Sequence, residues 1–159
     1  MKVIFLDIDG VLNTPSSESR CGEYIGIDDD KVENLKKIVE KTKAEIVLIS
    51  TWKKYWRKED KLKPLQDYSA NYLDEKLAKQ GLKAIDKTKD KSDGRYLSRG
   101  ESILEYVYRN NVEKYIILDD CQFDYDGCYL TDCLIKTKQA EGLTKAQAEN
   151  ACEILLERL

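Results

Sequence analysis

Asp7 and Asp9 close an apolar run, Val3-Ile4-Phe5-Leu6, and are the first groups along the chain whose types and spacing suit chemistry. Four consecutive apolar residues read as a buried strand, and residues two apart on a strand point the same way, with Cα atoms about 6.6 Å apart. Two carboxylates so placed address one reacting centre. Gly10 follows at once and permits a sharp turn, so the pair sits at the strand's C-terminal edge, where open α/β sheets bind ligands. Two further apolar runs end in polar groups. Ala44-Glu45-Ile46-Val47-Leu48-Ile49 stops at Ser50-Thr51, and Tyr115-Ile116-Ile117-Leu118 stops at Asp119-Asp120, with Asp124 shortly after.

The chain contains no histidine, which excludes Ser-His-Asp and Cys-His mechanisms within it. Acid/base work must come from Asp, Glu, Lys, Tyr or Cys, and a metal held by side-chain oxygens must be a hard one such as Mg²⁺. The 159 residues carry 27 basic and 30 acidic side chains, a net charge of −3. That balance argues against a globally basic nucleic-acid binder and leaves room for local basic patches. The length fits one domain, residues 1–159. Cysteines stand at 21, 121, 128, 133 and 152 with no C-x-x-C pair, and the N-terminus holds no secretory or membrane-length apolar stretch. The expectation is a reduced, cytoplasmic protein whose cysteines act as small apolar residues rather than as a thiolate cluster.

Stepping along the chain, a polar loop from Thr14 to Gly26 leads to Asp28-Asp29-Asp30 and an amphipathic helix with Val32, Leu35, Ile38 and Val39 inward, to about Lys43. Strand, helix, strand implies a parallel pair. Pro64 suits the first turn of a second helix through Leu65, Tyr68, Tyr72, Leu73 and Leu77, stopped at Gly81. Leu82 to Ile85 reads as a third strand, and Lys87 to Ser98 as a loop. Ser98-Arg99-Gly100-Glu101 has capping-box spacing ahead of Ile103, Leu104, Val107 and Tyr108. Cys133 to Lys136 reads as a last strand, and Thr144 to Gln147 as the cap of a last helix through Ala151, Leu155 and Leu159. This alternation predicts an α/β fold, a Rossmann-like, doubly wound parallel sheet.

Three polar strand tips and a cation at a helix start resemble the haloacid dehalogenase (HAD) superfamily of phosphohydrolases. Asp7-Ile8-Asp9-Gly10-Val11 is similar to its first motif, Ser50 to its second, Arg99 to its third and Leu118-Asp119-Asp120 to its fourth, in the right order over nearly the whole chain. The resemblance implies a Mg²⁺-dependent phosphomonoesterase in which Asp7 is the nucleophile, forming an aspartyl-phosphate, and Asp9 the acid/base. That role asks for a raised pKa at Asp9, unlike Asp7. Ser50 and Arg99 would hold phosphoryl oxygens, with Arg99 oriented by Asp119. The family more often has lysine at this position, which leaves Arg95, Lys91 and Lys53 as substitutes for Arg99. Metal would fall to the Asp7 carboxylate, the Asp9 carbonyl and the Asp120 carboxylate, with Asp119 or Asp124 acting through water.

HAD relatives choose substrates with cap domains, and neither interval between these motifs has room for one. The implied site is open and suits bulky phosphates. The spacing is similar to the phosphatase domains of polynucleotide kinase-phosphatase and the related domains of RNA-repair enzymes, so the expected partner is a phosphorylated substrate such as a nucleic-acid end. Trp52-Lys53-Lys54-Tyr55-Trp56-Arg57-Lys58 interleaves aromatics with cations, as a base-stacking surface does, and fits better still an amphipathic helix with Trp52 and Trp56 packed inward. The lysine-rich segment from Lys83 to Lys91 reads as a solvated face or as a guide for an anion. Two alternatives stay open: a non-catalytic module that keeps the fold, and a small-molecule phosphatase with a lid from a partner subunit. A receiver domain and dehalogenase chemistry are disfavoured by motif order and by the lack of cap-borne groups.

Overall fold

The computed structural model describes residues 1–157; Leu159, assigned by periodicity to the last helix, lies outside the described residues. The chain runs β1 (Lys2–Leu6), a hairpin of β2 (Arg20–Cys21) and β3 (Tyr24–Ile25), α1 (Asp29–Thr42), β4 (Glu45–Leu48), α2 (Tyr68–Ala78) and β5 (Ala84–Lys87). A second hairpin, β6 (Lys91–Ser92) and β7 (Arg95–Tyr96), precedes α3 (Arg99–Arg109), β8 (Lys114–Asp119), β9 (Leu134–Lys136) and α4 (Lys145–Leu156). Five strands pair in parallel in the order β5-β4-β1-β8-β9.

The alternation of side chains along each strand divides the core into two layers. Ile4 and Leu6 of β1, Ile46 and Leu48 of β4, and Ile116 and Leu118 of β8 face the layer closed by α1, α2 and α4. Val3, Phe5, Val47 and Ile117 face the opposite layer, closed by Ile103 and Tyr106 of α3 with Tyr125 and Leu130 from the segment after β8. Burial of each such side chain contributes about 1.5–3 kcal/mol. Both faces of the sheet are therefore covered, as a doubly wound α/β fold requires. The capping-box spacings form as read: Ser98 and Glu101 close the start of α3, and Thr144 and Gln147 that of α4.

Four expectations are corrected. Pro64 lies inside a separate 3₁₀ turn, Asp60–Leu65, and α2 starts later because the Asp67 carboxylate accepts from the Ala70 N–H at 2.8 Å. The third strand is Ala84–Lys87 rather than Leu82–Ile85. The two polar loops each contain a hairpin, the second turning at Asp93-Gly94 with φ of 51° and 76°, the paired positive values of a type I′ turn. Trp52 and Trp56 do not share a helix: only Thr51–Lys53 forms a 3₁₀ turn, Trp56 is fully buried with its N–H on Asp74, and Trp52 stays half-exposed.

The interval from β1 to β4 holds only the first hairpin and α1, and that from β4 to α3 holds α2, β5 and the second hairpin, so no cap domain is present. No helix among the described residues is long and apolar enough to cross a membrane.

Candidate active site

Register brings the polar tips together. Leu6 lies opposite Leu48 on one side and Leu118 on the other. The Asp7 N–H then bonds the Leu118 carbonyl at 2.9 Å and the Ile49 N–H bonds the Leu6 carbonyl at 3.0 Å, which sets Asp7, Ser50 and Asp119 at one level of the sheet edge. Asp7 is 7% exposed, and Asp119 is fully buried.

Asp119 is saturated by protein donors. Arg99 Nη1 donates to its Oδ2 at 3.0 Å, the Tyr125 hydroxyl to the same oxygen at 2.7 Å, and the Cys121 N–H to Oδ1 at 3.0 Å. The same Arg99 nitrogen lies 3.6 Å from Asp7 Oδ1, so one guanidinium serves two carboxylates. Phe123, at a φ of 43°, covers it with a ring centroid 4.2 Å from Cζ, a stacking that fixes the plane of the cation. The other candidate cations are engaged elsewhere. Lys53 bonds the Thr88 carbonyl and hydroxyl and pairs with Asp90 at 2.9 Å, Arg95 pairs with Glu101 at 3.1 Å, and Lys91 sits over the Tyr96 ring.

Asp9 is exposed and held at both oxygens: Asn13 Nδ2 donates to Oδ1 at 2.9 Å and Trp52 Nε1 to Oδ2 at 3.2 Å. Asn13 also takes the Gly10 N–H on its carbonyl oxygen and donates to the Gly26 carbonyl, so it clamps the turn after β1. The hydroxyl of Ser50 accepts the Trp52 N–H at 3.2 Å, which leaves its own O–H to donate. Asn13, Tyr125, Phe123 and Trp52 Nε1 are site groups that spacing does not assign, because their partners come from distant turns.

Asp120 packs against Gly10, where a Cβ would lie 2.5 Å from the Asp120 Cγ and 2.8 Å from its Cβ, at a φ of +82°. Gly10→Ala is therefore expected to displace Asp120 and strain the turn, lowering stability by about 1–3 kcal/mol; a thermal melt beside a turnover assay checks it. Asp124 is corrected as a metal candidate. Ser98 Oγ, the Gly100 N–H and Cys128 Sγ all donate to its carboxylate, which caps α3. Burial acts to raise its pKa, and these bonds outweigh it and hold the group below its ordinary value.

Excess negative charge governs the site. Burial first and the Asp119 charge second push Asp7 up to about 8, against the pull of Arg99 and the Ile8 N–H. Asp120 is raised for the same two reasons. The expectation that Asp7 keeps an ordinary value is thus corrected, because its carboxyl is buried beside a second acid. Donor atoms of Asp119, Asp120 and Cys121 lie within 4.8 Å of one another. The Cys121 thiol is pushed up by burial and nearby carboxylates, which keeps it protonated. The available donors are then hard carboxylate oxygens against a single guanidinium, a set that fits a divalent cation such as Mg²⁺.

A family model described as the HAD domain in Swiss Army Knife RNA repair proteins matches residues 3–148. No curated protein and no solved structure matches the chain. The matched span contains β1, β4, α3 and β8, the elements that carry the acids, Ser50 and Arg99, and the family points to hydrolysis of the phosphatase type. The chain belongs to the HAD domains of Swiss Army Knife RNA repair proteins.

Proposed function

We propose that this domain is a Mg²⁺-dependent phosphomonoesterase that works through an aspartyl-phosphate on Asp7. The observation that carries this reading is the pairing of two unlike carboxylates at one strand tip. Asp7 is sunk beside Arg99, and Asp9 is exposed and aimed by Asn13 and Trp52. A nucleophile needs a fixed attack line, and a proton carrier needs access to the leaving oxygen and to water.

The Asp7 carboxylate forms a bond to phosphorus as the bond to the leaving oxygen breaks, and Asp9 gives that oxygen its proton. Asp9 then takes a proton from water, whose oxygen attacks phosphorus and releases Asp7 and inorganic phosphate. Ser50 donates to one phosphoryl oxygen and Arg99 to another. Asp119 keeps Arg99 in place, since its own oxygens are already taken. Residues that would hold Mg²⁺ are Asp7 and Asp120 by their carboxylates and Asp9 by its carbonyl, with Asp119 behind them. The bound ion supplies charge neutralisation that lets a phosphate dianion enter an acidic site.

The open sheet edge, uncovered by any cap, supports a bulky substrate, and the family's association with RNA repair supports a nucleic-acid terminal phosphate. Phosphate release from an aryl phosphate and from a panel of phosphorylated oligonucleotides, nucleotides, sugar phosphates and phosphopeptides tests this. Turnover is expected to vanish with a chelator and return with added Mg²⁺, and to favour oligonucleotide termini. Absence of turnover on the whole panel with Mg²⁺ present would reject the enzyme reading in favour of a non-catalytic module.

A further inference from the structure

Two cavities flank the site, and they differ in chemistry. One, of about 290 Å³, is lined by Arg99, Lys53, Lys54, Thr51 and Asp90. The other, of about 570 Å³, is lined by Asp9, Trp52, Tyr24, Ile25, Cys21 and Glu23 among others. Only the second contains the proposed acid. If Asp9 protonates the leaving oxygen, the leaving group must lie in the cavity that Asp9 lines; this step rests on the phosphomonoesterase reading.

We propose that the second cavity receives the nucleobase of the nucleotide whose phosphate is removed. Its lining suits a flat, uncharged ring: two aromatic side chains, Trp52 and Tyr24, together with Ile25 and Cys21. The volume falls within the range of small-ligand pockets, about 300–1,000 Å³. Glu23 repels a second phosphate on that side. Tyr24 is 78% exposed on the β2–β3 hairpin, an aromatic with no core role there.

Trp52 is set in advance. Its indole packs on Tyr72, with ring centroids 6.3 Å apart, and the Tyr72 hydroxyl accepts the Ile27 N–H at 3.0 Å, tying α2 to the end of the hairpin segment. A preset aromatic surface binds a base at less entropic cost than a mobile one. Because Trp52 Nε1 also donates to Asp9, a base on the indole acts on the orientation of the acid. Base recognition and proton delivery share one side chain.

The test compares a short RNA carrying a terminal phosphate, at its 3′ or 5′ end, with the same RNA lacking the base of that terminal nucleotide. The base-bearing RNA is expected to be preferred by roughly 5- to 100-fold in kcat/KM at one end, in line with the stacking of a single base. Tyr24→Ala and Trp52→Ala should each shrink that ratio towards one, and Tyr24→Phe should keep it. Binding of both RNAs to Asp7→Asn protein, followed by tryptophan fluorescence, gives the preference without turnover. Equal kcat/KM and equal binding for the two RNAs at both ends, or a ratio unmoved in the Tyr24→Ala/Trp52→Ala double variant, overturns the base pocket. Base-dependent binding without phosphate release from either RNA supports the pocket and overturns the phosphatase reading instead.

Discussion

Asp7→Asn is expected to lower phosphate release by more than about 10³-fold while making the metal-free protein more heat-resistant at pH 8. The first effect follows from loss of the proposed nucleophile. The second follows from burial. In the folded protein Asp7 is pushed up to about 8 from an ordinary value of 3.8, so between those two pH values the folded state binds a proton that the unfolded chain does not. The stability associated with that proton is fully present below pH 4 and is lost as pH rises through 8. Asparagine never ionises and escapes the loss. The two proteins should converge at pH 4 and separate at pH 8, where each kcal/mol corresponds to roughly 2–4 °C in Tm for a chain of this length. Added Mg²⁺ should narrow the gap by favouring ionised Asp7. Melts of both proteins at pH 4 and 8, with and without Mg²⁺, check this; a gap independent of pH would reject the assignment.

Arg99→Ala carries the second large effect. The guanidinium is the cation facing both Asp7 and the fully buried Asp119, and its removal leaves that carboxylate with only Tyr125 and a backbone N–H. Breaking a buried pair from one side costs roughly 3 kcal/mol, because the abandoned charge stays desolvated. Arg99→Ala/Asp119→Asn should recover most of that stability, since neither charge then remains, and should not recover activity. Arg99→Lys keeps a charge without the planar donor set and should fall between in turnover. Denaturant unfolding of Arg99→Ala, Asp119→Asn, the double variant and wild type closes the cycle. A single variant as stable as wild type would show that Asp119 does not depend on this cation.

The strand tips were legible because an apolar run that stops at a carboxylate is a local signal: Leu6-Asp7 and Leu118-Asp119 need no knowledge of the rest of the chain. Arg99 was legible through its neighbours Ser98 and Glu101, whose spacing marks a helix start. The hairpins were not, since a two-residue strand such as Arg20–Cys21 is too short to display alternation, although Asp93-Gly94 carries a turn preference of its own. Trp52 and Trp56 stand four apart in any reading, and only packing separates them: Trp56 is buried with its N–H on Asp74 and Lys63 over its ring, and Trp52 meets Asp9 at the surface. Asn13 and Tyr125 escaped because their partners, Gly26 and Asp119, are brought to them by turns without periodicity.

The position of β1 between β4 and β8 has a consequence for synthesis on the ribosome. One flank of β1 finds β4 soon after both are made, and the other waits for β8, more than a hundred residues downstream. At about 5–20 residues per second that delay is on the order of ten seconds. Throughout it the nascent chain shows an unpaired row of amides and carbonyls along its most apolar strand, a template for other chains. Asp119 and Asp120 reach Asp7 only when β8 docks, so the polypeptide completes its candidate site and loses its stickiest edge in a single event.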